Sequence, residues 1–107
     1  MAKLGTFTIH GISGQAYRFD AFPANTVWTP LSAIYIMTHR DASLLSNATH
    51  VCLFIGHLGN LQDLRLPKDK TGEHAINCIC VLEESSEDKR VEIVGDIASG
   101  NSLLFRC

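Results

Sequence analysis

Two unbroken apolar runs in the middle of the chain constrain its fold more than any other feature. They are Ala33-Ile34-Tyr35-Ile36-Met37 and Val51-Cys52-Leu53-Phe54-Ile55-Gly56. Each is too short for an ordinary buried helix and has the length of a strand. The near-continuous apolar character of Ser32 to Thr38 predicts burial on both faces and a central place in a sheet. His50 to Ile55 is the neighbouring strand, with Gly56 expected to end it.

Patterning on either side of these runs sets the fold class. Leu4 to Ile9 alternates polar and apolar residues, as does Gln15 to Phe22, which places Tyr17 and Phe19 on one face. The turn-rich link from His10 to Gly14 joins them, so the N-terminus reads as a β-hairpin. Pro23 and Pro30 then bound an irregular connector. His39 to Thr49 reads as a polar loop. Asn60 to Leu66 has helical spacing at Leu61 and Leu64, with Asn60 as cap and Pro67 as stop. After the charged loop 68–73, His74 to Leu82 is the fifth strand. A serine cap followed by Glu87 and Asp88 opens a last helix with an expected apolar stripe of Val91, Val94, Ile97 and Ala98. Gly100-Asn101 ends it, and the tail 103–107 is apolar enough to pack back. Strands outnumber helices, and one intervening helix is too few for a doubly wound sheet. The expected class is α+β: a small antiparallel sheet with flanking helices and an N-terminal β-hairpin.

Composition narrows the function classes. A length of 107 residues predicts one domain spanning 1–107. The hydrophobic fraction of 46% and charged fraction of 19% are those of a globular protein. A net charge of −2 supplies no broad positive field to gather nucleic acid. Lys68, Lys70, Arg65 and Lys89-Arg90 read as solvated charges, largely neutralised by Glu83, Glu84, Glu87 and Asp88. No run reaches the roughly 20 apolar residues of a membrane-spanning helix, and the start lacks a signal-peptide core. A cytoplasmic protein without a membrane partner is the expectation. Cys52, Cys78, Cys80 and Cys107 are then read as reduced thiols, the buried ones acting as small hydrophobes. The Cys78-Ile79-Cys80 spacing differs from a zinc knuckle. His39, His57 and His74 are scattered without ligand spacing, so no metal site is expected.

Ala33-Ile34-Tyr35 and Phe54-Ile55-Gly56 also stand in a suggestive order. They are followed by Asn60-Leu61, a short helix, a strand and a helix, and preceded by Phe19-Asp20-Ala21-Phe22 and Trp28. Over roughly Phe19 to Asn101 this arrangement resembles a GIY-YIG nuclease domain. The resemblance implies metal-assisted phosphodiester hydrolysis. A tyrosine lies near the attacking water, a helix arginine stabilises phosphate charge, and a glutamate on a later helix holds a divalent ion. Tyr35 fills the first tyrosine position and Gly56 is kept, while Phe54 replaces the second tyrosine. The arginine position, eight residues after Gly56, holds Leu64, with Arg65 next to it. The glutamate position holds Val94, with Glu92 and Asp96 each two residues away. Valine offers no oxygen to a hard cation.

Three readings follow. The first is a degenerate GIY-YIG-like scaffold that lacks nuclease activity and serves as an interaction or ligand-binding module, with a protein or nucleic acid as partner. The second is an unusual metal-dependent DNA endonuclease using Tyr35, His57, Arg65 and Glu92, with Mg²⁺ or Mn²⁺ as its only cofactor. The third is a small inhibitory or structural binding protein of another α+β fold.

Overall fold

The computed structural model describes residues 3–41, 49–66, 75–101 and 105–106. Its elements run β1 (Gly5–His10), β2 (Ala16–Pro23), β3 (Ala33–Asp41), β4 (Thr49–Leu58), a 3-10 turn (Leu61–Asp63), β5 (Cys78–Glu83), α1 (Glu87–Gly100) and the short β6 (Phe105–Arg106). The strands form one sheet in the order β1-β2-β5-β3-β4-β6. Every pairing is antiparallel. The α+β expectation and the N-terminal hairpin hold, with Phe7 opposite Phe19 and Ile9 opposite Tyr17. Among the described residues, a single α-helix and the 3-10 turn take the place of the flanking helices.

The apolar run of β3 earns its central position. It pairs with β5 on one side and β4 on the other. Ala33 and Met37 face one packed layer, and Ile34 and Ile36 face the other. The sheet is curled. Phe7 of β1 meets His50 of β4 with ring centroids 4.7 Å apart, although β2, β5 and β3 lie between them in strand order. A flat sheet would hold these strands about 19 Å apart, at roughly 4.8 Å per strand. The face bearing Phe7, Ile9, Phe19, Ala21, Ile36, Cys78 and Cys80 is therefore the inside of the curl, and Ile97 of α1 packs into it. The outside is covered by Trp28 and Leu31 of the proline-bounded connector and by Leu58, Leu61 and Leu64.

Several sequence expectations shift. β4 runs through Gly56 to Leu58 rather than ending at Gly56. Gly56 pairs with Tyr35, and a Cβ there would stand 2.5 Å from the Tyr35 hydroxyl. The glycine makes room for an aromatic ring across the strand; it does not turn the chain. β3 extends to Asp41 and β4 begins at Thr49, so both ends of the expected polar loop are strand. β5 starts only at Cys78. Before it, the Asn77 backbone still bonds Thr38 and Ala24, and its side chain adds two hydrogen bonds to the Arg40 backbone. The expected helix at Asn60 shrinks to the 3-10 turn, still capped by Asn60, whose Oδ1 accepts from Gln62 N. Pro67, the loop 68–73 and His74 lie outside the described residues.

Helix α1 is rotated relative to its expected stripe. Its inward residues are Arg90, Ile93, Val94 and Ile97, spaced i, i+3, i+4, i+7. Val91 is 54% exposed, and Ala98 is exposed as well. The cysteines also need a correction. Cys78 and Cys80 are free and buried, but Cys52 is disulfide-bonded rather than a reduced thiol. No helix among the described residues is long and apolar enough to cross a membrane.

Candidate functional site

Tyr35 and His57 lie on opposite sides of the sheet. Tyr35 belongs to the outer layer. His57, paired with Ile34, faces inward, where its Nδ1 accepts from Arg90 Nε of α1 at 3.3 Å. Arg65 is exposed and turns back on its own segment, its guanidinium donating to the carbonyls of Gln62 and Leu64. Glu92 is exposed on α1. These four residues do not share a cleft. Leu64 packs against the outer cluster and Val94 against the inner one. The positions where the resemblance puts a guanidinium and a carboxylate are thus packed apolar sites.

Arg90 is a residue that the sequence reading passed over as a solvated charge. It is only 6% exposed. Besides reaching His57, it donates to the carbonyls of Glu84 and Ser85. It thereby ties the start of α1 to the end of β5 and to β4. Its signal was available in the phase of the helix: Arg90, Ile93 and Ile97 fall on one stripe.

At the other end of α1, a polar clamp holds the hairpin. The Asp96 carboxylate accepts from Ser13 N at 2.9 Å, Ser13 Oγ at 2.7 Å and the Tyr17 hydroxyl at 2.6 Å. The Asp96 carbonyl accepts from Ile12 N. The Tyr17 and Ser13 hydrogen bonds hold the Asp96 carboxyl below its ordinary value. The same contact with Asp96 pushes the Tyr17 hydroxyl up to about 12. A Cβ at Gly11 would collide with the Asp96 carboxylate, so any other residue there displaces the clamp.

Between α1 and the β3–β4 pair is a cavity of about 150 Å³ lined by Ile36, Cys52, Phe54, Ile55, Ile97, Ala98 and Asn101. A β-bulge shapes it. Met37 pairs with Phe54 but Thr38 pairs with Cys52, leaving Leu53 as the extra residue. Strand alternation would put Cys52 and Phe54 on one face. The bulge instead lets Cys52 and Ile55 share the inner layer, while Phe54 packs against the outer cluster and also borders the cavity. Asn101 supplies polarity at the rim. Its Nδ2 donates to the carbonyls of His10 and Ile97, and its carboxamide oxygen accepts no hydrogen bond from the described residues.

Deeper inside the curl, His50, Cys78 and Cys80 converge. Their donor atoms all lie within 4.8 Å of one another. His50 Nδ1 is 2.9 Å from Thr38 Oγ1 and 4.0 Å from Cys80 Sγ. Hydrogen bonding between the two cysteines lowers the Cys78 thiol and raises that of Cys80, which burial raises further. Sequence spacing concealed this group, because its members stand on two strands separated by β3.

Comparison with family models, with curated proteins and with solved structures finds no match to this chain.

Proposed function

We propose that this chain is a GIY-YIG-like scaffold without nuclease chemistry that binds a small, mainly apolar molecule carrying one hydrogen-bond donor. The observation that carries this reading is the cavity between α1 and the β3–β4 pair. Six of its seven lining residues are apolar, so water inside would find few partners. A dry cavity of about 150 Å³ accepts a benzene-sized molecule. The one polar lining group, Asn101, offers an acceptor, which favours a phenol or an indole over benzene itself. The packed Leu64 and Val94, and the dispersal of Tyr35, His57, Arg65 and Glu92, support the loss of hydrolysis.

Amide chemical shifts recorded during titration with benzene, phenol and indole test the ligand. Shifts confined to the cavity residues, with phenol or indole binding more tightly than benzene, are expected. Ala98→Phe, which fills the cavity from an exposed helix position, weakens binding at least tenfold. Shifts scattered over the surface, or unaltered by that variant, would sink the proposal. In a parallel assay with supercoiled and single-stranded DNA plus Mg²⁺ or Mn²⁺, no cleavage is expected. Cleavage that disappears in Tyr35→Phe would restore the nuclease reading.

A further inference from the structure

We propose that His50, Cys78 and Cys80 form a binding site for one thiophilic metal ion, with zinc as the best match. The argument starts from placement. Cys78 and Cys80 are two apart on β5 and so face the same side. Cys78 lies opposite Thr38 and Cys80 opposite Ile36 on β3. Thr38 is small enough that the imidazole of His50, on the next strand, reaches across it toward the sulfurs. Phe7, folded over by the curl of the sheet, closes the far side of the ring.

The group is fully enclosed, which for an imidazole is unusual. Cys78 and Cys80 are 0% exposed and His50 is 4% exposed. Buried free cysteines alone would pass as small hydrophobes, but a buried imidazole needs polar partners, and here both sulfurs stand within its reach. Donor separations within 4.8 Å approach those of a tetrahedral zinc site. Zn–S bonds of about 2.3 Å and Zn–N bonds of about 2.0–2.1 Å put neighbouring donors roughly 3.5–3.8 Å apart. Loading the site asks the donors to close by about 1 Å. Two thiolates and a neutral imidazole around a divalent cation sum to zero charge, so the loaded site fits an apolar interior. Soft sulfur donors exclude Mg²⁺ and Ca²⁺, which take oxygen. Thr38 Oγ1 stands beside the three donors as a further oxygen. Binding releases the thiol protons to solvent, and no redox step is involved.

The test is a Co²⁺ titration of the native protein, anaerobically and without reductant, so that the disulfide at Cys52 stays closed. The expected result is a thiolate-to-cobalt charge-transfer band with tetrahedral d–d absorption, saturating at one ion per chain and displaced by Zn²⁺. The band disappears in the Cys78→Ala, Cys80→Ala double variant, whose folding is checked by circular dichroism. Where that variant does not fold, NMR of the cadmium-loaded wild type decides. Metal couplings to the Cys78 and Cys80 β-protons and the His50 ring support the site, and couplings to other residues overturn it. No charge-transfer band in the folded wild type, or a band that survives the double variant, overturns the proposal.

Discussion

Asp96 links the clamp between α1 and the N-terminal hairpin to pH. Its carboxyl is held below 3.8 by Tyr17 and Ser13. The clamp's contribution is therefore complete above pH 3.8 and is lost as pH falls through the lowered value. Tyr17 works with the opposite sign. Its hydroxyl is raised from 10.0 to about 12, so its contribution is complete below pH 10.0 and is lost as pH rises toward 12. Thermal melts across both limbs test this. Asp96→Asn should flatten the acid limb, and Tyr17→Phe the alkaline limb; wild-type slopes in both variants would show that the clamp is not the titrating unit. Ile97, 1% exposed at the centre of the inner core, carries no charge and gives a pH-independent control. Ile97→Ala should cost about 2–5 kcal/mol in urea unfolding. At this scale the sequence was partly legible. Val94 and Ile97 were correctly placed inside, but Arg90 and Val91 were exchanged, because a long apolar stem with a charged head can satisfy the inner stripe once carbonyls receive it.

The helix and the bulged strand contrast as elements. The start of α1 follows local chemistry: Ser86 Oγ accepts from Lys89 N at 3.3 Å, while Glu87 and Asp88 face the positive end of the helix. Ser86→Ala should lower stability by about 1 kcal/mol, read from chemical denaturation; an unchanged midpoint would assign the boundary to tertiary contacts instead. Strand β4 obeys non-local constraints. Its bulge at Leu53 and its run through Gly56 are set by pairing with β3. Gly56→Ala places a methyl against the Tyr35 ring and should cost about 1–3 kcal/mol. Tyr35→Ala in the same chain should recover part of that loss. A double-mutant cycle without coupling would show that Gly56 is required for its backbone rather than for the ring.

For the whole molecule, the curl of the sheet is the organising fact. It brings β1 over β4 and encloses Phe7, His50, Cys78, Cys80 and Ile97 in one interior. Strands β3 and β5 have hydrogen-bonded neighbours on both sides and apolar layers on both faces. Their amides should exchange slowest, near the limit of global unfolding, while β1 at the sheet edge exchanges faster. Protection in β1 equal to that in β3 would contradict the described strand order.

The sequence by itself determined the elements whose signals are local: the hairpin by period-two alternation, β3 by its unbroken apolar run, and α1 by its serine cap and acidic first turn. Tertiary structure decided which residues meet. The curl, the bulge and the interposed β3 act between segments distant in the chain. Periodicity reports only which face a residue prefers, not which residue of another strand stands opposite. The cavity beneath α1 and the His50–Cys78–Cys80 group exist only through those long-range pairings, so no spacing along the chain could announce them.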